Sequence, residues 1–219
     1  ISVPDGNLTL GPGRQVLASD IAVGNGAGAV INAGTLVLSG ARAIAGNLIQ
    51  TASGGIVAAP RGSGGAPALS VSGSATLLGG TVSPPVDATA TLGQQVPFLT
   101  AADGVRGNVA AIVQPLDLTP GLRVDAVYTQ NALTFIVTPA SFATLSGLGI
   151  VLSGVQADVG AALDRVRPTP GGLVSADQAA LFDPLYATAA TALPTVLEQF
   201  APTAQGAGLI VARDASYLM

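Results

Sequence analysis

Histidine, cysteine and lysine are all missing from these 219 residues, and charge of either sign is scarce. Without histidine, the usual general base and the commonest nitrogen ligand for metals are gone. Neither a Ser-His-Asp triad nor a His-based zinc site can be assembled. Without cysteine there is no disulfide framework and no thiolate metal site. An extracellular life stays open, because an exported chain without cysteine forms no bridge that blocks its transit. Charged residues make up 9% of the chain, against about 25% in an average globular protein. All eight basic residues are arginine (Arg14, Arg42, Arg61, Arg106, Arg123, Arg165, Arg167 and Arg213), and they are scattered. The clustered positive footprint that nucleic acid requires is therefore lacking. Long apolar runs are lacking too. The nearest, Phe142 to Ala157, holds 16 residues without charge, short of the ~18 to 20 that cross a bilayer as a helix. Its serines and three glycines fit a buried or interfacial helix better. The opening ISVPDG has neither Met nor a signal-peptide pattern, so the chain is expected to be an excerpt of a longer one.

What is plentiful is glycine (29) and proline (15) among residues that are 49% apolar. A disordered tail would be less hydrophobic and more charged, and collagen would carry glycine at every third place. The composition fits many short apolar strands separated by tight turns. Across the first 80 residues, Val16, Leu36, Ile56 and Leu77 recur at intervals of 20, 20 and 21, and Val30, Leu48 and Leu69 form an offset series. A period near twenty with Gly or Asn at the corners predicts a parallel β-solenoid, in which each coil must stack to bury its apolar edge. The strands are short, as in LTL (8–10), LVL (36–38), LSV (69–71) and ATLLGGTV (75–82). Asp5-Gly6, Asn25-Gly26, Gly54-Gly55 and Gly79-Gly80 supply the corners. An open antiparallel sandwich is the alternative.

From Val82 to Pro139 the runs lengthen and take up aromatics: QQVPFLTA, GNVAAIVQ, LRVDAVYT and ALTFIVTP. The turn-rich gaps at 102–104, 119–121 and 130–131 predict antiparallel hairpins that cap the open end of the solenoid. After Pro139 the period becomes helical. Leu145, Leu148, Leu152, Val155, Val159, Leu163 and Val166 draw one stripe, predicting a helix started by Ser141 and stopped before Pro168. RPTPGG follows as a linker. Ser175 to Gln178 has the form of a capping box, and Leu181, Leu185, Ala189 and Leu193 continue the stripe. Pro184 and Pro194 are each expected in the first turn of a new short helix. The final TAQGAGLIVARDASYLM has no strong local preference. The expected organisation is 1–81 parallel β-helix, 82–139 β cap and 140–219 α-helical.

This order of parts resembles the C-terminal portion of the passenger of a pertactin-like autotransporter, the type V secretion family of Gram-negative bacteria. The likeness is carried by GNLIQTASGGIVA (46–58), ALSVSGSATLLGGTV (68–82), VPFLTAADGVRGNV (96–109) and LRVDAVYTQNALTFIV (122–137), with VQADVGAALDRV (155–166) and ALPTVLEQFAP (192–202) in the helical part. The resemblance implies a right-handed parallel β-helix, an autochaperone around 60–139 that nucleates folding, and a partner in the chain's own outer-membrane β-barrel. The passenger would sit at the cell surface, tethered to the outer membrane after export through the periplasm. The region 140–219 is long for a simple pore-threading linker, and no Asn follows Asn131, so the Asn-dependent self-cleavage of some relatives has no visible nucleophile here.

No catalytic, cofactor-binding or metal-binding residue is expected. Enzymatic β-helices cluster carboxylates with basic partners or calcium, whereas Asp5, Asp20, Asp87, Asp103, Asp117 and Asp125 are far apart in sequence. Asp117 and Asp125 beside Arg123 come nearest to a constellation and are expected as solvated turn residues. The PRGSGG loop (60–65) carries Ser63 where an adhesive Arg-Gly-Asp would have its acid, and is expected as a coil insertion. Asp158, Asp164, Arg165 and Arg167 are expected on the wet side of the first helix. Phe182, Tyr186 and Phe200 are expected in a core rather than docked on a membrane barrel. The functional alternative is a surface adhesin contacting host or glycan ligands through the β-helix flank.

Overall fold

The short alternating runs form strands in successive threes. In the computed structural model, which describes residues 1–59 and 65–201, the first triplet is β1 (Ser2–Val3), β2 (Leu8–Leu10) and β3 (Arg14–Leu17). The second is β4 (Ile21–Val23), β5 (Ala29–Asn32) and β6 (Thr35–Leu38), and the third β7 (Arg42–Ala45), β8 (Asn47–Gln50) and β9 (Gly55–Ala58). The fourth is β10 (Leu69–Val71), β11 (Ala75–Leu78) and β12 (Thr81–Ser83), and the fifth β13 (Gln95–Ala101), β14 (Val105–Asn108) and β15 (Ala111–Ile112). Each strand pairs in parallel with the one three places on, which gives three sheets. The first members align as β1-β4-β7-β10-β13, the second as β2-β5-β8-β11-β14 and the third as β3-β6-β9-β12-β15. Every pair within these fifteen strands is parallel, so the antiparallel sandwich is set aside.

Register turns the sequence repeat into columns of inward side chains. One column runs Leu8, Val30, Leu48, Ala75 and Val105. Another runs Gln15, Leu36, Ile56, Val82 and Ile112, so its spacing lengthens from about twenty residues to thirty. The period near twenty therefore places Leu36 and Ile56 correctly and misses both flanks. Val16 is 55% exposed, because Gln15 takes the inward place, and Leu77 lies in the neighbouring sheet opposite Gln50. Leu69 likewise stands in a different sheet from Val30 and Leu48. At the corners, side chains join one triplet to the next: Asn7 Oδ1 accepts from Ala29 N at 2.8 Å, and Asn47 Oδ1 accepts from Ser74 N at 2.9 Å. Inside β14, Gly107 stands where no other residue fits. Its φ is +75° and a Cβ would lie 2.1 Å from Leu77 O.

The predicted antiparallel cap begins later than Val82. QQVPFLTA and GNVAAIVQ form a fifth parallel triplet, with the 102–104 turn as a corner, and only β16 (Leu122–Tyr128) and β17 (Ala132–Pro139) run antiparallel. β17 pairs with β13, ending the first sheet as β13-β17-β16. The buried apolar column runs the length of the stack and finishes on one face of this hairpin with Val124, Ala126, Leu133, Phe135 and Val137. Phe98 and Phe135 meet there, with ring centroids 5.0 Å apart.

Three helices cover the hairpin's other face: α1 (Gly154–Val166), α2 (Ala176–Tyr186) and α3 (Leu193–Gln199). Capping boxes start the first two, Ser153 with Gln156 and Ser175 with Gln178. The first helix thus starts twelve residues after Ser141, the predicted cap. Gly147 and Gly149 break the stripe: Gly149 has φ +73°, and a Cβ on Gly147 would lie 2.6 Å from Pro120 O. Phe142 and Leu145 are buried in a second core from this irregular segment. The predicted stop before Pro168 holds, and Pro194 stands in the first turn of α3. Pro184 does not start a helix; it sits inside α2, close to its end, where Leu185 and Tyr186 are buried in the second core. Residues 60–64 of PRGSGG and the whole of the final TAQGAGLIVARDASYLM lie outside the described residues.

Candidate functional site

Alternation along β16 sends Val124 and Ala126 into the long core and leaves Arg123, Asp125 and Val127 facing the helices. Asp125 is therefore buried in a strand, 4% exposed, and is not a solvated turn residue. Its Oδ2 accepts from Arg123 Nε at 3.0 Å, from Arg167 Nη2 at 2.5 Å and from the Thr138 hydroxyl. Its Oδ1 lies 2.8 Å from Arg123 Nη2.

Arg167, at the C-terminal end of α1, does not point to water. Its side chain is 1% exposed, and besides Asp125 it donates to Thr138 Oγ1 at 2.5 Å, Pro139 O at 2.7 Å and Tyr186 OH at 3.1 Å. Its guanidinium carbon lies 4.9 Å from the centroid of Phe142 and 5.1 Å from that of Tyr186, two near-parallel rings whose centroids are 6.4 Å apart. A planar cation with five donors suits this place, since its edge is hydrogen-bonded and its charge lies close to two aromatic rings. The lone carboxylate is shared by two arginines, and the surplus positive charge is met by carbonyls, a phenol and aromatic faces. Burial raises the Tyr186 pKa and the Asp125 charge adds to this, with Arg167 acting the other way.

RPTPGG, expected as a linker, is instead hydrogen-bonded to the hairpin. β16 is the last strand of its sheet; Ala126 N donates to Pro170 O at 2.7 Å, Arg123 Nη2 to Pro168 O at 3.2 Å and Tyr128 OH to Gly171 O at 2.9 Å. Tyr128 also accepts from Val109 N at 3.1 Å. Burial pushes its hydroxyl up to about 12, with the Val109 bond opposing.

The other expected positions divide. Asp164 is not on a wet face: its carboxylate accepts from Ser141 Oγ at 2.6 Å, Phe142 N at 3.0 Å and Ala143 N at 3.2 Å, holding the irregular segment against α1. Asp158 and Arg165 are exposed, as expected of helix-surface charges. Phe182 and Tyr186 are core residues, while Phe200 is 47% exposed. Asp117 is exposed on an open groove of about 510 Å³ beside Pro84, Val113 and Leu116, and is not joined to Asp125. The sequence did hold a hint of the cluster. Arg-x-Asp in a strand places two charges on one face, and when the opposite face is apolar, burial of the charged face calls for a second cation from elsewhere.

Chemically the cluster is a clasp. Both carboxylate oxygens and the guanidinium are occupied by partners within the fold, leaving no group aimed at a cleft. Among the described residues no three acidic, histidine or cysteine side chains converge on a metal position, and no helix is long and apolar enough to cross a membrane. No family model matches the chain, and no curated protein is significantly similar to it.

Proposed function

We propose that this chain is a non-catalytic, C-terminal part of an autotransporter passenger, in which the stacked triplets are coils of a right-handed parallel β-helix and the end of the stack nucleates its folding. The observation that carries the reading is the hairpin that stops the stack after its fifth triplet and reaches all three strands of that triplet. β17 pairs with β13; Gln130 O accepts from Val105 N at the start of β14; and Gln114, just after β15, pairs through its side-chain amide with both Val124 N and Val124 O. A stop built onto the fifth triplet gives the coils before it a fixed template on which to stack.

Such growth suits export without ATP. A folded domain is stabilised by about 5–15 kcal/mol, and each coil added outside the membrane disfavours backsliding. On this reading the chain's partner is its own outer-membrane β-barrel, its place is the cell surface, and its scarcity of charge and lack of cysteine ease passage unfolded. Deleting Val82 to Pro139 from the full-length protein should abolish surface display and protease resistance of the upstream stack. Unchanged secretion and resistance would overturn the reading.

A surface binding module is the second reading, and the groove with fully exposed Leu116 favours it. Host-cell or glycan binding that Leu116→Asp abolishes, with display intact, would support it.

A further inference from the structure

The described residues form two apolar cores, the long column and the cluster of Phe142, Leu145, Leu163, Phe182, Leu185 and Leu197 with Ile136. Strands β16 and β17 lie between them, one face turned to each. The second core depends on helices whose polar attachment to the hairpin is concentrated in residues 167–171. Arg167 is the only residue of that strap with a charged side chain, and it joins β16, the end of β17 and α2 at one point. The two prolines of the strap lie along β16, the edge strand of its sheet, where an uncovered strand would offer free backbone groups to another chain.

We propose that residues 140–201 form a lid that opens and closes as one unit on the outer face of the β16–β17 hairpin, with Arg167 as its pin. The lid guards the β16 edge when closed. Opening leaves the long core intact, because none of the buried residues of that core belongs to the lid. The timing rests on the export reading: a segment that precedes a barrel has to be undocked while it threads the pore, so closure of the lid is the last folding step at this end.

The absence of cysteine makes the test clean. Single cysteines are placed in the purified full chain at Leu163 (Leu163→Cys, in the lid core) and at Leu48 (Leu48→Cys, in the column), and maleimide labelling rates are compared in native buffer. With Arg167→Met the lid cysteine should label roughly 100-fold faster, since the bonds from Arg167 to Asp125, Pro139 and Tyr186 are lost and Arg123 is left as the one counter-charge of the buried carboxylate, while the column cysteine stays as slow as in the parent. Arg167→Lys, which keeps the charge but loses the planar fork, should show the same order with a smaller rise of about 10-fold. Equal changes at both cysteines in both variants, or no change at either, would overturn the lid. The labelling uses no secretion, so its failure is distinct from that of the export reading, which the deletion of 82–139 judges.

Discussion

Arg167 shows how far a single side chain depends on its surroundings. Grouped in the sequence with Asp158 and Arg165 as a wet-side charge, it stands nine residues from Asp158, about 180° round a helix, and ends against two aromatic rings and a buried carboxylate. A buried ion pair is weak evidence of net stabilisation, since hydrophobic replacements often do as well, but removing one partner is costly. Asp125→Ala should therefore lower the unfolding free energy by about 3–5 kcal/mol in denaturant titrations, leaving two arginines without a counter-charge. Tyr128 gives a pH signature. Its folded pKa is raised from 10.0 to about 12, so the unfolded chain loses the phenolic proton first as pH rises. The full stability below pH 10 should fall by roughly 2–3 kcal/mol as pH climbs from 10 to 12. Tyr128→Phe should flatten that part of the pH profile, the Tyr186 phenol contributing a fall of the same sign.

At the scale of elements, local chemistry and tertiary packing each prevailed in different places. The Ser175 and Gln178 capping box was legible because both partners belong to one turn. The start of α1 was not, because the leucine stripe continues through Leu145 and Leu148 while a Cβ at position 147 would come within 3 Å of the 120–121 backbone. Ser153→Ala should cost about 1 kcal/mol and fray the first turn of α1 in hydrogen exchange. Strand pairing has the same split. Leu36 and Ile56 follow the period, but the longer corners of later triplets move the inward position to Val82 and Ile112. Leu48 is fully buried between Val30 and Ala75, so Leu48→Ala should cost about 2–5 kcal/mol, measured by thermal or chemical unfolding.

For the whole molecule, the consequence of stacking is that stability is shared between neighbours and the two ends differ. Removing the terminal triplet, residues 1–17, should leave the rest folded, because it deletes one interface and exposes a new edge of the same kind. Removing β16 and β17 should be far more damaging, since it uncovers β13, takes the hairpin partners from Val105 and Gln114, and removes the face on which the helices pack. Limited proteolysis of the two truncated chains distinguishes these outcomes: a resistant fragment from the first and rapid loss of the stack from the second.

The sequence by itself determined that the chain is built mainly of short strands with a helical end, and that it lacks the side chains for histidine- or thiolate-based chemistry, because composition, turn residues and capping boxes act over a few neighbours. The tertiary structure alone decided where the parallel triplets end, which column each apolar residue joins, and that Asp125 and Arg167 meet. Those are contacts between residues as many as 42 positions apart, and their energies depend on what else is buried beside them, which no local pattern records.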